Sequence, residues 1–183
     1  MLKILIVEDD PQLAVAMSYL IEENVTYRVV GKSDDLDSAV SAAESYLPHL
    51  ALVDLHLAGG SDGFSVAFRL SEMNIACLFI TAYPPAFPLP ALAVGCLTKP
   101  VTGDDLHLAL GLVEDRLRGR ESIRFKVPRN LELYNDHDGF LVKHRAELAI
   151  APQLSAWLRF KLRMGRTIQT FLEKNLPPDD GKL

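Results

Sequence analysis

Residues 51–57 read ALVDLHL, an apolar run with the carboxylate of Asp54 set into it. Residues 50–53 are too short and too continuously apolar for the one-sided stripe of a surface helix, and they read as a strand buried on both faces. Comparable runs flank it at residues 2–7, 25–30, 76–80 and 94–97. Between them lie helical patterns: residues 11–23, opened by Pro11; 35–46, behind a cap at Ser33 or Asp34; 63–73; and 102–118. Regular alternation of strand and helix predicts an α/β protein with a doubly wound, five-stranded parallel sheet. The stretch after the fourth strand breaks the rhythm, because Pro84, Pro85, Pro88 and Pro90 remove amide donors and disfavour helical geometry before them. A helix there is expected to be short or absent.

The chain has 183 residues and 49% hydrophobic content, enough for one full core and a small appendage. No stretch approaches the roughly 18 to 20 apolar residues that a membrane span needs, and Glu8-Asp9-Asp10 arrive before any signal-like cleavage site, so a cytoplasmic protein is expected. Cys77 and Cys96 sit at predicted strands and read as reduced interior thiols. The net charge of −5 divides unevenly. Residues 1–118 hold 16 Asp and Glu against 7 Lys and Arg, whereas residues 119–183 hold 8 against 12.

In an open α/β sheet the reactive groups gather outside the carboxyl ends of the strands. Here those ends carry Glu8-Asp9-Asp10, Asp54, Thr81 and Lys99, the last followed by Pro100. Clustered carboxylates repel one another unless a cation sits among them, and hard oxygen ligands of this kind suit Mg2+, which also accepts phosphate oxygens. Phosphoryl transfer needs a nucleophile, in-line positioning and positive charge or donors around the equatorial oxygens. Asp54 can be the nucleophile, Lys99 and the metal can neutralise charge, and the Thr81 hydroxyl can donate to a phosphoryl oxygen.

The motifs ILIVEDD (4–10), ALVDLHL (51–57), FITAY (79–83) and CLTKPV (96–101), taken in order, resemble the signature of the receiver family of two-component signalling. The resemblance covers residues 1 to 118. It implies that Glu8 and Asp9 form an acidic pair, with Asp9 a direct Mg2+ ligand and Glu8 acting through water. Asp54 becomes both a metal ligand and the phosphorylation site. His56 offers the metal its backbone carbonyl rather than its ring, Lys99 pairs with the phosphoryl group, and Pro100 follows a cis peptide bond. The donor implied is a phosphohistidine on a sensor histidine kinase or phosphotransfer protein. The chain is then a switch rather than a metabolic enzyme. An aspartate-dependent phosphohydrolase of similar layout is disfavoured, since such enzymes carry a second aspartate two residues past the nucleophile, where this chain has His56.

Several positions depart from the family pattern. Cys96 stands where the family usually has an aromatic that swings inward on phosphorylation. Ala58 replaces a common proline, and Gly59-Gly60-Ser61 lengthen the loop before Asp62-Gly63. FITAY is similar to the Phe-x-Thr-Gly-Tyr variant of some alphaproteobacterial receivers, which makes Tyr83 the candidate switch aromatic.

Beyond residue 118, residues 119–129 read as a linker and 130–183 as a C-terminal extension. Within it, 130–134 and 140–143 flank a turn-rich sequence and suggest a hairpin, and Leu154, Trp157, Leu158, Leu162, Ile168 and Phe171 mark an amphipathic helix. Its expected use is protein–protein interaction, including a homodimer through this segment. The alternative is DNA or RNA binding by Arg159, Lys161, Arg163 and Arg166. A membrane-surface role lacks a second anchoring signal.

Overall fold

The computed structural model describes residues 1–58, 62–120 and 126–135. Ten elements follow one another: β1 (Leu2–Val7), α1 (Pro11–Glu22), β2 (Tyr27–Ser33), α2 (Leu36–Tyr46), β3 (Leu50–Val53), α3 (Gly63–Glu72), β4 (Ala76–Thr81), β5 (Gly95–Thr98), α4 (Gly103–Leu117) and β6 (Leu131–Leu133). They form one sheet in the order β2-β1-β3-β4-β5-β6. The five expected strands are parallel. A sixth, β6, is added antiparallel on the outer edge of β5.

Each central strand sends alternate residues to opposite faces, as a strand must. Ile4, Ile6, Leu50, Leu52, Leu78, Ile80 and Leu97 pack under α1 and α4 through Met17, Ile21, Leu106 and Leu110. Leu5, Val7, Ala51, Val53, Cys77, Phe79 and Cys96 pack under α2 and α3 through Ala43, Val66 and Leu70. Burial on both sides explains why these strands read as unbroken apolar runs.

Helix starts follow local chemistry. Asp10 caps α1 ahead of Pro11, Thr102 and Asp105 form a reciprocal capping box on α4, and Asp62 caps α3. The cap of α2 is Asp35, in a capping box with Ser38, rather than Ser33 or Asp34. The cause lies in β2, which begins two residues later than expected and runs on through Gly31, Lys32 and Ser33. Asn24 holds a turn by accepting from Thr26 and Tyr27, leaving Val25 exposed, and the edge position of β2 lets polar residues stay in the strand.

Between β4 and β5 there is no helix, as the prolines require, although Leu89, Leu92 and Ala93 still pack on the core. Of the expected hairpin, the first arm contains β6, which pairs with β5. The second arm and the amphipathic helix fall outside the described residues, as do Gly59, Gly60 and Ser61. Among the described residues no helix is long and apolar enough to cross a membrane.

Candidate functional site

The sheet ladder continues past the strand ends and delivers the site. The Glu8 amide donates to Ser33 O (2.9 Å), the Asp54 amide to Val7 O (2.9 Å) and the Lys99 amide to Thr81 O (2.9 Å). Three side chains from β1, β3 and β5 therefore stand at one edge, where the chain reverses direction across the sheet and leaves a crevice. Lys99 Nζ donates to Asp54 Oδ2 at 2.6 Å and to Glu8 Oε2 at 2.8 Å. Glu8 and Asp54 are 6% and 8% exposed, so two nearly buried acids hold a half-buried cation between them.

Glu8, Asp9 and Asp54 bring carboxylate oxygens within 4.8 Å of one another, a donor set that fits a hard divalent cation. Backbone amides orient two of them: Ala58 N–H donates to Asp9 Oδ2 (3.1 Å) and His56 N–H to Asp54 Oδ1 (3.0 Å). Asp10 turns away and caps α1, donated to by Gln12 and Leu13.

Burial pushes the Glu8 carboxyl above the usual glutamate range, and Lys99 only partly offsets this. For Lys99 burial works downward, but its hydrogen bonds to Asp54 and Glu8 prevail and hold it above the ordinary lysine value, hence cationic at neutral pH. The sign for stability follows. A raised folded-state pKa means that Glu8 favours the folded state fully below its ordinary value of 4.5 and loses that benefit as pH rises through the folded value. Glu8→Gln, without divalent cations, is therefore expected to raise the melting temperature at pH 7.5, and the gain should vanish as pH falls towards 4.5. A gain independent of pH across that range would contradict the assignment.

Thr81 is fully buried at the end of β4. Its hydroxyl lies 3.4 Å from His56 Nδ1 and accepts from the Tyr83 amide at 3.3 Å. The His56 ring meets the Tyr83 ring edge-on, with centroids 5.2 Å apart, and Tyr83 itself is 71% exposed. Thus Asp54, Glu8, Asp9 and Lys99 are in mutual reach, whereas Thr81, His56 and Tyr83 form an adjoining chain beside them. The Lys99–Pro100 peptide bond is cis.

Cys96 is buried and its thiol pushed up to about 11; Cys77 reaches about 12, in both cases chiefly by burial. Such thiols stay protonated and unreactive at neutral pH. Where the family resemblance expects an aromatic at Cys96, the chain instead buries Tyr134, one residue after β6, in the same core cluster.

Four contributors escaped the sequence reading. The sequence gives the His56 ring no role, the Ala58 amide is invisible to side-chain reasoning, and the Asp62-Gly63 pair carries no sign of the close approach of Gly63 to the Asp54 backbone. Asn130 was read only as the start of a strand. Its side chain donates to Thr98 O and Pro100 O, on either side of Lys99. No local pattern announces such long-range backbone contacts.

Comparison with known proteins agrees with this geometry. Residues 4–111, more than half of the chain, match the model of the response regulator receiver domain. The phyllosphere-induced regulator PhyR of Methylorubrum extorquens is 37% identical over 99 residues, covering 50% of this chain and 37% of that protein. The sensory transduction protein LytT of Bacillus subtilis is 32% identical over 116 residues, covering 60% of this chain and 47% of that protein. The chain thus spans less than half the length of either. Among solved structures, the receiver domain of a modulated diguanylate cyclase from Desulfovibrio desulfuricans superposes with a TM-score of 0.54 at 32% identity, covering 63% of this chain and 97% of that one. The response regulator PhyR of Brucella abortus superposes with a TM-score of 0.54 at 28% identity, covering 63% and 50%.

Proposed function

The chain belongs to the response regulator receiver family, and from that premise we propose that it is a phosphoacceptor switch of a two-component phosphorelay, phosphorylated on Asp54. The observation that carries this reading is the placement of Lys99 Nζ 2.6 Å from Asp54 Oδ2, with Glu8 and Asp9 close enough to share a cation with Asp54. Mg2+, when bound through Asp9, Asp54, the His56 carbonyl and a water on Glu8, supplies charge neutralisation for the phosphoryl oxygens.

The protein's own groups do the rest. The Asp54 carboxylate attacks phosphorus in line, forming a P–O bond as the P–N bond to the donor's phosphohistidine breaks and the imidazole leaves. Lys99, kept cationic by its acidic neighbours, transfers its hydrogen bond from the carboxylate to a phosphoryl oxygen. Thr81 lies one strand away, and turning its hydroxyl from His56 and Tyr83 towards the phosphoryl group would disturb the exposed Tyr83. That supports Tyr83 as the switch aromatic.

The donor is a sensor histidine kinase or phosphotransfer protein, met in the cytoplasm, and output passes through protein contact rather than a metabolic product. The missing helix between β4 and β5 favours this, because it leaves Tyr83 and Phe87 exposed on the loop leading from Thr81. Residues 119–129 keep the linker role proposed for them on sequence; residues 130–134 join the receiver sheet through β6, and the extension role, with homodimerisation ahead of nucleic-acid binding, falls to the residues that follow.

Intact mass after incubation with Mg2+ and acetyl phosphate tests the reading. The expected result is one added phosphoryl group on the wild type and none on Asp54→Ala or in the presence of EDTA. Association state measured in the same samples reports on the extension. An adduct that survives Asp54→Ala would refute the assignment. So would a wild type that accepts nothing from acetyl phosphate or from a phosphohistidine donor.

A further inference from the structure

Asn130 stands opposite Thr98, one step beyond the Leu131↔Leu97 pair that begins the β5–β6 register. Its carbonyl accepts from the Thr98 amide at 2.8 Å, as an antiparallel ladder requires. Its side chain then does something the ladder cannot. Asn130 Nδ2 donates to Thr98 O at 2.8 Å and to Pro100 O at 3.1 Å, so one amide grips the carbonyls on both sides of Lys99. With both neighbours held, the Lys99 backbone has little freedom, and its Nζ is aimed at Asp54 and Glu8.

The grip is itself anchored. Tyr134, at the other end of β6, is 1% exposed and donates its amide to Val94 O at 3.0 Å. At Gly95 a Cβ would lie 2.4 Å from Glu132 O, so β6 seats closer than any side chain at that position allows. Asn130, Glu132 and Tyr134 lie outside the family match at 4–111.

We infer that Asn130 is a positioning residue for Lys99, and that β6 thereby makes the segment after the last helix part of the phosphoryl-accepting site. The inference rests on the function proposed above. If Asn130 acts by orienting Lys99, its loss removes only what Lys99 contributes, and the two substitutions are non-additive.

The test measures the rate of adduct formation on Asp54 with acetyl phosphate and Mg2+, using the full chain at a temperature where melting curves show every variant folded. Asn130→Ala is expected to slow phosphorylation about tenfold, a modest share of what misplacement of a reacting group can cost. In a Lys99→Ala background the same change should alter the rate by less than about twofold. Asn130→Asp keeps the shape but loses both N–H donors, and should be at least as slow as Asn130→Ala. A wild type that forms no adduct sinks the proposed function. A competent wild type with an equally fast Asn130→Ala, or multiplicative effects of Asn130→Ala and Lys99→Ala, overturns the role of Asn130 alone.

Discussion

Gly63→Ala is expected to lower stability by about 3 kcal/mol or more, at the upper end of what overpacking usually costs. The new Cβ would lie 2.0 Å from the Asp54 carbonyl oxygen, 2.6 Å from Leu55 Cα and 2.8 Å from the Asp54 carbonyl carbon. All three are backbone atoms, so no flexible side chain can yield. Either α3 must lift at its first turn, losing the Gly63 amide to Leu55 O hydrogen bond, or the chain carrying Asp54 must shift. Both outcomes touch Asp54, the proposed acceptor. A fall of roughly 10 °C or more in melting temperature should be accompanied by slower phosphorylation of Asp54. Calorimetry and intact mass on the same preparation check this, and a variant melting within a few degrees of wild type would show that the close approach is not held in solution.

Lys99→Met should produce the second large effect, and its size depends on pH and on Mg2+. Removing the ammonium leaves Glu8 and Asp54 facing one another with no cation between them. Breaking a fully buried ion pair costs about 3 to 5 kcal/mol; with Lys99 one-fifth exposed, about 2 kcal/mol is expected at pH 8 without divalent cations. Glu8, already displaced upward by burial, moves further up once its cationic partner is gone. The deficit should therefore shrink as the pH is lowered and one carboxyl is protonated. Added Mg2+ should also recover stability, by about 2.7 kcal/mol at a hundred times its dissociation constant. Phosphorylation should nonetheless stay about a hundredfold slow, since a cation on the carboxylates does not replace a donor aimed at the phosphoryl oxygen. Thermal melts across pH with and without Mg2+ decide it. A deficit unchanged by either variable would mean that the loss comes from packing rather than from the unpaired, buried acids.

How much of this was legible beforehand depends on the range of the interaction. The central parallel strands show in the sequence because each is buried on both faces and so reads as an apolar run, with limits within one residue of those expected; β2, at the edge, is the strand whose limits differ by more. The acidic, hydroxyl and lysine residues were found because a parallel sheet places every strand end on one edge, so order along the chain predicts proximity in space. Asp54, Glu8, Asp9 and Lys99 follow from that rule. The short loop residues between Tyr83 and Pro90 were read correctly as non-helical because proline acts on its own backbone.

Sequence by itself thus determined the α/β alternation, the edge where the strand-end acids and Lys99 gather and the residues that meet there, since each rests on local hydrophobicity, local backbone preference or the chain order of strands. Only the tertiary structure decided that β6 returns to cover β5, that Tyr134 is buried beside Cys96, that Gly63 abuts the Asp54 backbone, and that Asn130 holds the carbonyls flanking Lys99. Those contacts join residues 9 to 40 positions apart, and most of them land on backbone atoms, which every residue carries alike, so the partners leave no mark in the local pattern of side chains.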